Sequence, residues 1–147
     1  MITIHPVRAE DRSDWLALFG AYLVFYETDL DRATIDSTFE RIVSAEGEIH
    51  GALARDDEGH AIGLVHWFTH PATWTRSDYC YLEDLFVAPG ARRAGAGAAL
   101  IEHVRDWASR HGSAKVYWLT AEGNATARSL YDRVATHTGF VHYEIEL

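Results

Sequence analysis

Two carboxylates stand side by side, Glu83 and Asp84, inside an apolar and aromatic run from Tyr79 to Val87. Burying an unpaired carboxylate is costly, so an acid among Tyr81, Leu82, Leu85 and Phe86 is not expected to be idle. Adjacent residues of a strand point to opposite faces, so at most one of the pair is expected to face any given pocket. The alternative is a structural salt bridge to Arg76 or Arg92.

The same run ends in Ala88-Pro89-Gly90, and Arg92-Arg93-Ala94-Gly95-Ala96-Gly97 follows. Leu100, Ile101, Val104, Trp107 and Ala108 then recur at three- and four-residue steps, which places them on one helix face. A strand, a glycine-bearing loop and a helix in that order aim unpaired backbone N–H groups and the positive end of a helix dipole at one point. Such a point suits a phosphate. The backbone from Arg93 to Ala98 would form the cradle, with Arg92 and Arg93 adding charge. Glycine lets a ligand approach without a Cβ in the way. The spacing is not Gly-x-Gly-x-x-Gly, which needs a third glycine, and no Gly-Lys-Ser/Thr follows. The alternative is a solvated loop with ordinary turn glycines.

A third candidate is Asn124-Ala125-Thr126-Ala127-Arg128-Ser129-Leu130-Tyr131. Helical spacing puts Ala127, Tyr131 and Val134 on one face, expected to point inward. A phenol can donate a proton while sitting in apolar surroundings. The plainer readings are a core aromatic at Tyr131 and a helix cap at Asn124. The nine histidines are scattered, and no pair at metal-ligand spacing falls on an expected helix, so no metal site is indicated. His66 reads either as an alternative base or as a satisfied structural residue. Cys80 is the one cysteine, so an intramolecular disulfide and a cysteine-based zinc cluster are excluded. It reads as a small buried hydrophobe.

The elements that must position these groups can be read in chain order. Residues 2–8 read as a strand, and Glu10 and Asp11 mark the start of a helix bearing Trp15, Leu18, Phe19, Tyr22 and Tyr26 on one face. A second helix is expected over 31–44, with Ile35, Phe39, Ile42 and Val43 toward the core. Strands 49–55 and 61–69 flank the loop Asp56-Asp57-Glu58-Gly59. A connection containing Pro71, Trp74 and Ser77 leads into the acidic strand. After the central helix come strand 115–121, helix 124–137 and strand 140–146. The fold class is therefore α/β (α+β), a mixed, mostly antiparallel sheet flanked by about four helices. A chain of 147 residues is expected to form a single domain over 1–147.

The net charge of −9 argues against nucleic acid as a partner and is compatible with a cationic substrate, although solubility alone would also account for it. No run approaches a membrane-spanning length and the N-terminus lacks a signal-peptide pattern, so a cytoplasmic protein that binds no membrane is expected.

Arg92-x-x-Gly95-x-Gly97 resembles the acetyl-CoA signature of the GNAT superfamily of N-acetyltransferases, and Val87-Ala88-Pro89 is similar to the end of that family's fourth strand. Asn124 to Tyr131 resembles the family's Asn-x-x-Ala-x-x-x-Tyr stretch. The resemblance extends to the order of elements and covers nearly the whole chain. It implies a central parallel strand pair that splays apart, and acetyl-CoA as cofactor. The cofactor would be held by Leu85, Phe86 and Val87, by Arg92, Arg93, Ala94, Gly95, Ala96, Gly97 and Ala98, and by Asn124, Ala127 and Tyr131. Tyr131 would protonate the thiolate, and Asn124 would hold the cofactor or an active-site water. Tyr81-Leu82-Glu83-Asp84-x-Phe86-Val87 resembles the diamine (polyamine) branch, where these acids line the substrate site and Glu83 would be the contact toward the amine. Tyr26, Glu27, Trp74 and Asp84 are similar to that branch's other amine-contacting residues.

The C-terminal third instead resembles the histone-acetyltransferase-like branch. The acceptor is therefore left as a polyamine, an amino compound or a lysine side chain, attacked directly in a ternary complex. A homodimer or higher homo-oligomer is implied as well. The competing reading is a non-catalytic acyl-CoA sensor of the same fold.

Overall fold

The computed structural model describes every residue of the chain except Arg93. It divides into two compact units, residues 1–117 and 118–147.

In the first unit β1 (Thr3–Pro6) leads to helices α1 (Arg12–Phe25) and α2 (Arg32–Val43). Strands β2 (His50–Arg55), β3 (Ala61–Pro71) and β4 (Asp78–Val87) follow, then α3 (Ala96–Arg110) and the short β5 (Val116–Tyr117). The strands lie in sequence order in one five-stranded sheet. β1 to β4 are antiparallel, and β5 runs parallel to β4 through the pairs Cys80↔Val116 and Tyr81↔Tyr117. This is the mixed α/β sheet that the pattern of elements implies.

Local chemistry explains where the helices begin. The buried Asp11 precedes α1, accepts the Arg8 N–H at 2.8 Å and receives Arg55 at 2.9 Å. Asp31 caps α2 by accepting the Thr34 N–H at 2.7 Å.

Each strand separates two packed layers. His66 of β3 meets Trp15 and Phe19 of α1, whereas its neighbour Trp67 meets His103 and Trp107 of α3. Trp15, Leu18, Phe19, Phe39 and Ile42 thus pack with Leu53, Leu64 and Phe86 into a buried cluster on the α1 side. On the other side Leu100 and Val104 are fully buried. α3 lies close there because Gly63 has no side chain: a Cβ at that position would stand 3.0 Å from the Phe86 carbonyl and 3.1 Å from Leu100.

The α3 side also gathers imidazoles. His50 is 4.6 Å from Trp107 between ring centroids, His103 is 5.7 Å from Trp67, and His111 stacks on Trp107 at 4.0 Å. Burial lowers the His50 imidazole below its ordinary value, and the charge of His111 adds to this. Burial lowers His103 too, with Arg110 contributing. The unfolded chain therefore binds more protons here, so stability falls as pH drops from about 6.5 toward the lowered values. We expect the melting temperature to decline between about pH 7 and 5, ahead of the carboxylate-driven loss at lower pH. A His50→Gln/His103→Gln protein should melt with a flatter pH dependence over that interval. An unchanged slope would assign the effect to other groups.

The second unit contains α4 (Ala125–Val134). Two expectations are corrected here. The expected strand 115–121 is limited to Val116–Tyr117, and residues 140–146 form no strand. A strand exists only through its ladder, and nothing else in residues 118–147 is a strand that could supply one. Phe140, Val141, Tyr143 and Ile145 are accordingly exposed. α4 also stops short of the expected residue 137, and Val134 is exposed rather than inward, while Ala127 and Tyr131 are half-buried.

Candidate active site

The acidic pair sits on a β-bulge. His66 of β3 pairs with Asp84 of β4, but the next β3 residue, Trp67, pairs with Leu82, so Glu83 is the extra residue. The inserted residue resets the alternation of side chains. Tyr81 packs on Phe68 at 5.5 Å, on the face of β3 that also carries His66, and Glu83 follows Tyr81 by two. Asp84 reaches the same face, where its carboxylate meets His66 Nδ1 at 2.8 Å and accepts a hydrogen bond from the Tyr22 hydroxyl of α1. Both acids therefore lie on the α1 side of the sheet, which corrects the expectation that at most one could. The partners of Asp84 are His66 and Tyr22, not Arg76 or Arg92.

The two carboxylates differ in environment. Glu83 is exposed and has no ion pair among the described residues. Partial desolvation raises its carboxyl above the ordinary value, and the charge of Asp84 raises it further. A carboxyl raised in this manner is a better proton acceptor near neutral pH. Desolvation and then Asp84 push the Tyr22 phenol strongly upward, so it stays a donor. Burial, with Glu83 adding, pushes Tyr81 up to about 12. Tyr117 packs on Tyr81 with ring centroids 4.9 Å apart, and its hydroxyl is 2.7 Å from His70 Nε2. Neutral phenols and two anions on one sheet face make a site for an ammonium group.

The remaining residues of this face are more loosely placed. Tyr26 ends α1, 5.0 Å from Tyr22 between ring centroids, and is partly exposed. Glu27 has a positive φ of 52°, unusual outside glycine. Trp74 is 85% exposed in the connection from β3 to β4. Tyr22 and Trp15 carry roles that the sequence did not single out. Their helical spacing with Phe19 was visible, but the polar tips of these rings were the only further signal.

The glycine loop leads directly into α3. Pro89 to Ala91 form one 3-10 turn, Ala94 and Gly95 are exposed, and Gly95 adopts φ 85° just before the helix. The first turn of α3 has neither a side-chain cap nor an acidic residue. Its leading N–H groups are thus left for an anion. Arg92 donates to the Val87 carbonyl at 3.3 Å and lies over the Phe25 ring at 5.8 Å. Arg93 lies outside the described residues. Phe86 is core, whereas Leu85 and Val87 are half-buried. Gly97 and Ala98 are half-buried in the first turn of α3, and Ala96 is buried.

Within the second unit Asn124 occupies the N-cap position of α4 without capping it, and its amide instead reaches Thr120 at 3.4 Å. The Tyr131 ring meets Trp118 at 5.4 Å. Cys80 is fully buried, and burial alone pushes its thiol up to about 11, so it is an inert hydrophobe as expected.

The model of the acetyltransferase (GNAT) family matches residues 12–135, and the chain belongs to that family. It is an acetyl-CoA-dependent N-acetyltransferase. It is 35% identical over 144 residues to a D-amino-acid N-acetyltransferase of Saccharomyces cerevisiae, covering 97% of this chain and 89% of that one. Among solved structures, the ribosomal-protein-alanine N-acetyltransferase of Brucella melitensis biovar Abortus 2308 superimposes with a TM-score of 0.82 at 20% identity, covering all of both chains. AAC(6')-Iy, solved in complex with the bisubstrate analogue CoA-S-monomethyl-acetylneamine, superimposes with a TM-score of 0.85 at 19% identity, covering 100% and 99% of the two chains. These two likenesses concern the fold.

Proposed function

We propose that this enzyme transfers the acetyl group of acetyl-CoA to the primary amine of a small amino compound, by direct attack within a ternary complex. The observation that carries the proposal is the bulge at Glu83, which brings two carboxylates of unlike environment to one aromatic sheet face. Asp84, held by His66 and Tyr22, supplies a fixed negative charge that draws in the ammonium form. Glu83, solvent-accessible and raised, takes the proton so that the neutral amine can attack. Tyr26, Glu27 and Trp74 would bound the acceptor at the rim.

The residues present fit the cofactor. The uncapped first turn of α3, Gly95 and the basic side chains of Arg92 and Arg93 would hold its pyrophosphate, and the backbone of 85–87 would bind its pantetheine arm. When bound, acetyl-CoA supplies the thioester from which the acetyl group leaves. Tyr131 would return a proton to the departing thiolate, with Asn124 and Ala127 beside it. Residues 1–147 would work as one catalytic domain, a reading supported by the family match across both units. The cytoplasm, where acetyl-CoA is available, is the proposed compartment.

The free C-terminal segment supports a homodimer. Val141, Tyr143 and Ile145 alternate at 74%, 90% and 88% exposure, the pattern of a strand that a second copy could complete. Truncation after Gly139 should then convert a dimer to a monomer by light scattering.

The decisive assay is release of free CoA from acetyl-CoA across D- and L-amino acids, diamines and spermidine, lysine analogues and a basic histone-tail peptide. Turnover on one amine class, rising with pH until the amine and Glu83 are deprotonated, is expected. Tight acetyl-CoA binding without turnover on any amine would favour the sensor reading.

A further inference from the structure

His66 is 2% exposed in its side chain and bonded at both ring nitrogens. The Trp15 indole N–H, which can only donate, lies 2.9 Å from Nε2. Nε2 must therefore accept, which leaves the proton on Nδ1, where it is donated to Asp84 at 2.8 Å. An imidazolium would carry protons on both nitrogens and would face the Trp15 N–H with one of them, so the neutral ring is the form this pocket fits. Neither nitrogen offers a free lone pair. His66 is thus not the base that takes the amine proton, yet it sits directly behind the acid pair.

We propose that His66 is a positioning residue for acetyl transfer: Trp15 locks it as the neutral Nδ1–H tautomer, and it holds the Asp84 carboxylate in place beside Glu83. The proposal rests on the acetyl-transfer reading above and adds a residue and a route of action to it. Asp84 then has two donors from two elements, His66 of β3 and Tyr22 of α1. The other ionisable groups beside it are Glu83 and Tyr81 on β4, with Tyr26 packed on Tyr22 and Tyr117 on Tyr81. From α2, Phe39 packs on Trp15 at 5.1 Å. The imidazole N–H is therefore the polar group by which the core behind the site stabilises the anion, and the Trp15 indole fixes which nitrogen presents it. Glu83 feels the charge of Asp84, so losing the donor that fixes Asp84 reappears in the proton uptake of Glu83.

The test combines a tautomer measurement with pH profiles. In the wild type, histidine side-chain 15N shifts should show His66 as the single neutral Nδ1–H tautomer. Trp15→Phe removes the donor to Nε2, so His66 should lose its single tautomer and the acid limb of kcat/KM should move as Asp84 loses its fixed donor. His66→Leu removes the donor to Asp84. The acid limb of kcat/KM should then move up by about one pH unit, the size of a lost hydrogen bond to a charged group, while KM for acetyl-CoA stays unchanged. His66→Asn restores an N–H near the Nδ1 position and should return the limb to its wild-type place. In that background Trp15→Phe should leave the profile as it is, since no tautomer remains to be set.

An acid limb unmoved in His66→Leu, or moved equally in His66→Asn, would overturn the proposal, as would an Nε2–H tautomer of His66 in the wild-type spectrum. Where His66→Leu fails to fold, Trp15→Phe and the wild-type spectrum carry the test. Absence of turnover with every amine in the wild type is a separate outcome: it removes the acetyl-transfer reading and with it the catalytic meaning of the lock, whereas the spectrum judges the lock itself.

Discussion

Glu83→Gln is expected to lower kcat about 10²- to 10³-fold, in the range that a positioned general base contributes. The substitution keeps the shape of the side chain and its hydrogen-bonding oxygen but cannot take up a proton. Affinity for acetyl-CoA should change less than about twofold, because the loop before α3 and the acidic bulge are separate parts of the fold. The pH profile gives the sharper reading. The raised Glu83 carboxyl places the acid limb of the wild-type kcat/KM profile above the ordinary carboxylate range, and that limb should vanish in Glu83→Gln. The remaining rise with pH would belong to the free amine. The comparison variant is Asp84→Asn. There Glu83 loses the neighbouring charge that raises it, so the acid limb should move down rather than disappear. Glu83→Gln turnover within about threefold of wild type would instead assign the proton to solvent, leaving Glu83 as a binding group only.

Such contrasts depend on the bulge, and the bulge was not legible in the sequence. Period-two alternation assigns Glu83 and Asp84 to opposite faces, and that rule holds only while every residue of one strand has a partner on the next. Which residue goes unpaired depends on the fit of β3 against β4, where His66 and Trp67 are drawn to different helices. Nothing in the local wording of β4 records it. Helices α1, α2 and α3, by contrast, could be read almost residue by residue. Trp15, Phe39 and Leu100 recur with their neighbours at helical steps, and an amphipathic helix settles its buried face by its own period. The C-terminal segment shows the opposite limit. Its alternation of Val141, Tyr143 and Ile145 is as clear as any in the chain, but alternation marks only the capacity to pair, and the ladder must come from elsewhere. Tyr22 shows a third case: its helix face was evident, while its bond to Asp84 follows from how α1 lies across the sheet.

The glycine loop yields the second large effect, and its sign separates a ligand site from a structural turn. Gly95 holds φ 85°, and a Cβ built there would meet nothing within 4 Å, so any penalty for a side chain comes from the backbone alone. Gly95→Ala should therefore cost about 1–2 kcal/mol of stability, and it should weaken acetyl-CoA binding as the loop relaxes out of the left-handed region. Gly95→Asp divides the two consequences. Aspartate tolerates a positive φ better than alanine does, and its charge complements the N-terminus of α3, which has no acidic residue in its first turn. The melting temperature should thus stand above that of Gly95→Ala. The same carboxylate would sit where the cofactor's phosphates are drawn, so acetyl-CoA affinity should fall by about 10²-fold, further than in Gly95→Ala, and the deficit should shrink in high salt. Gly90→Ala is the control, with no positive φ and nothing within 4 Å of its Cβ, and it should leave both quantities near wild type. If affinity followed stability across the three variants, with Gly95→Asp the better binder of the two Gly95 changes, the loop would be a turn with no anion to hold. Opposite orders, stability favouring aspartate and affinity favouring alanine, are what a phosphate at the head of α3 requires.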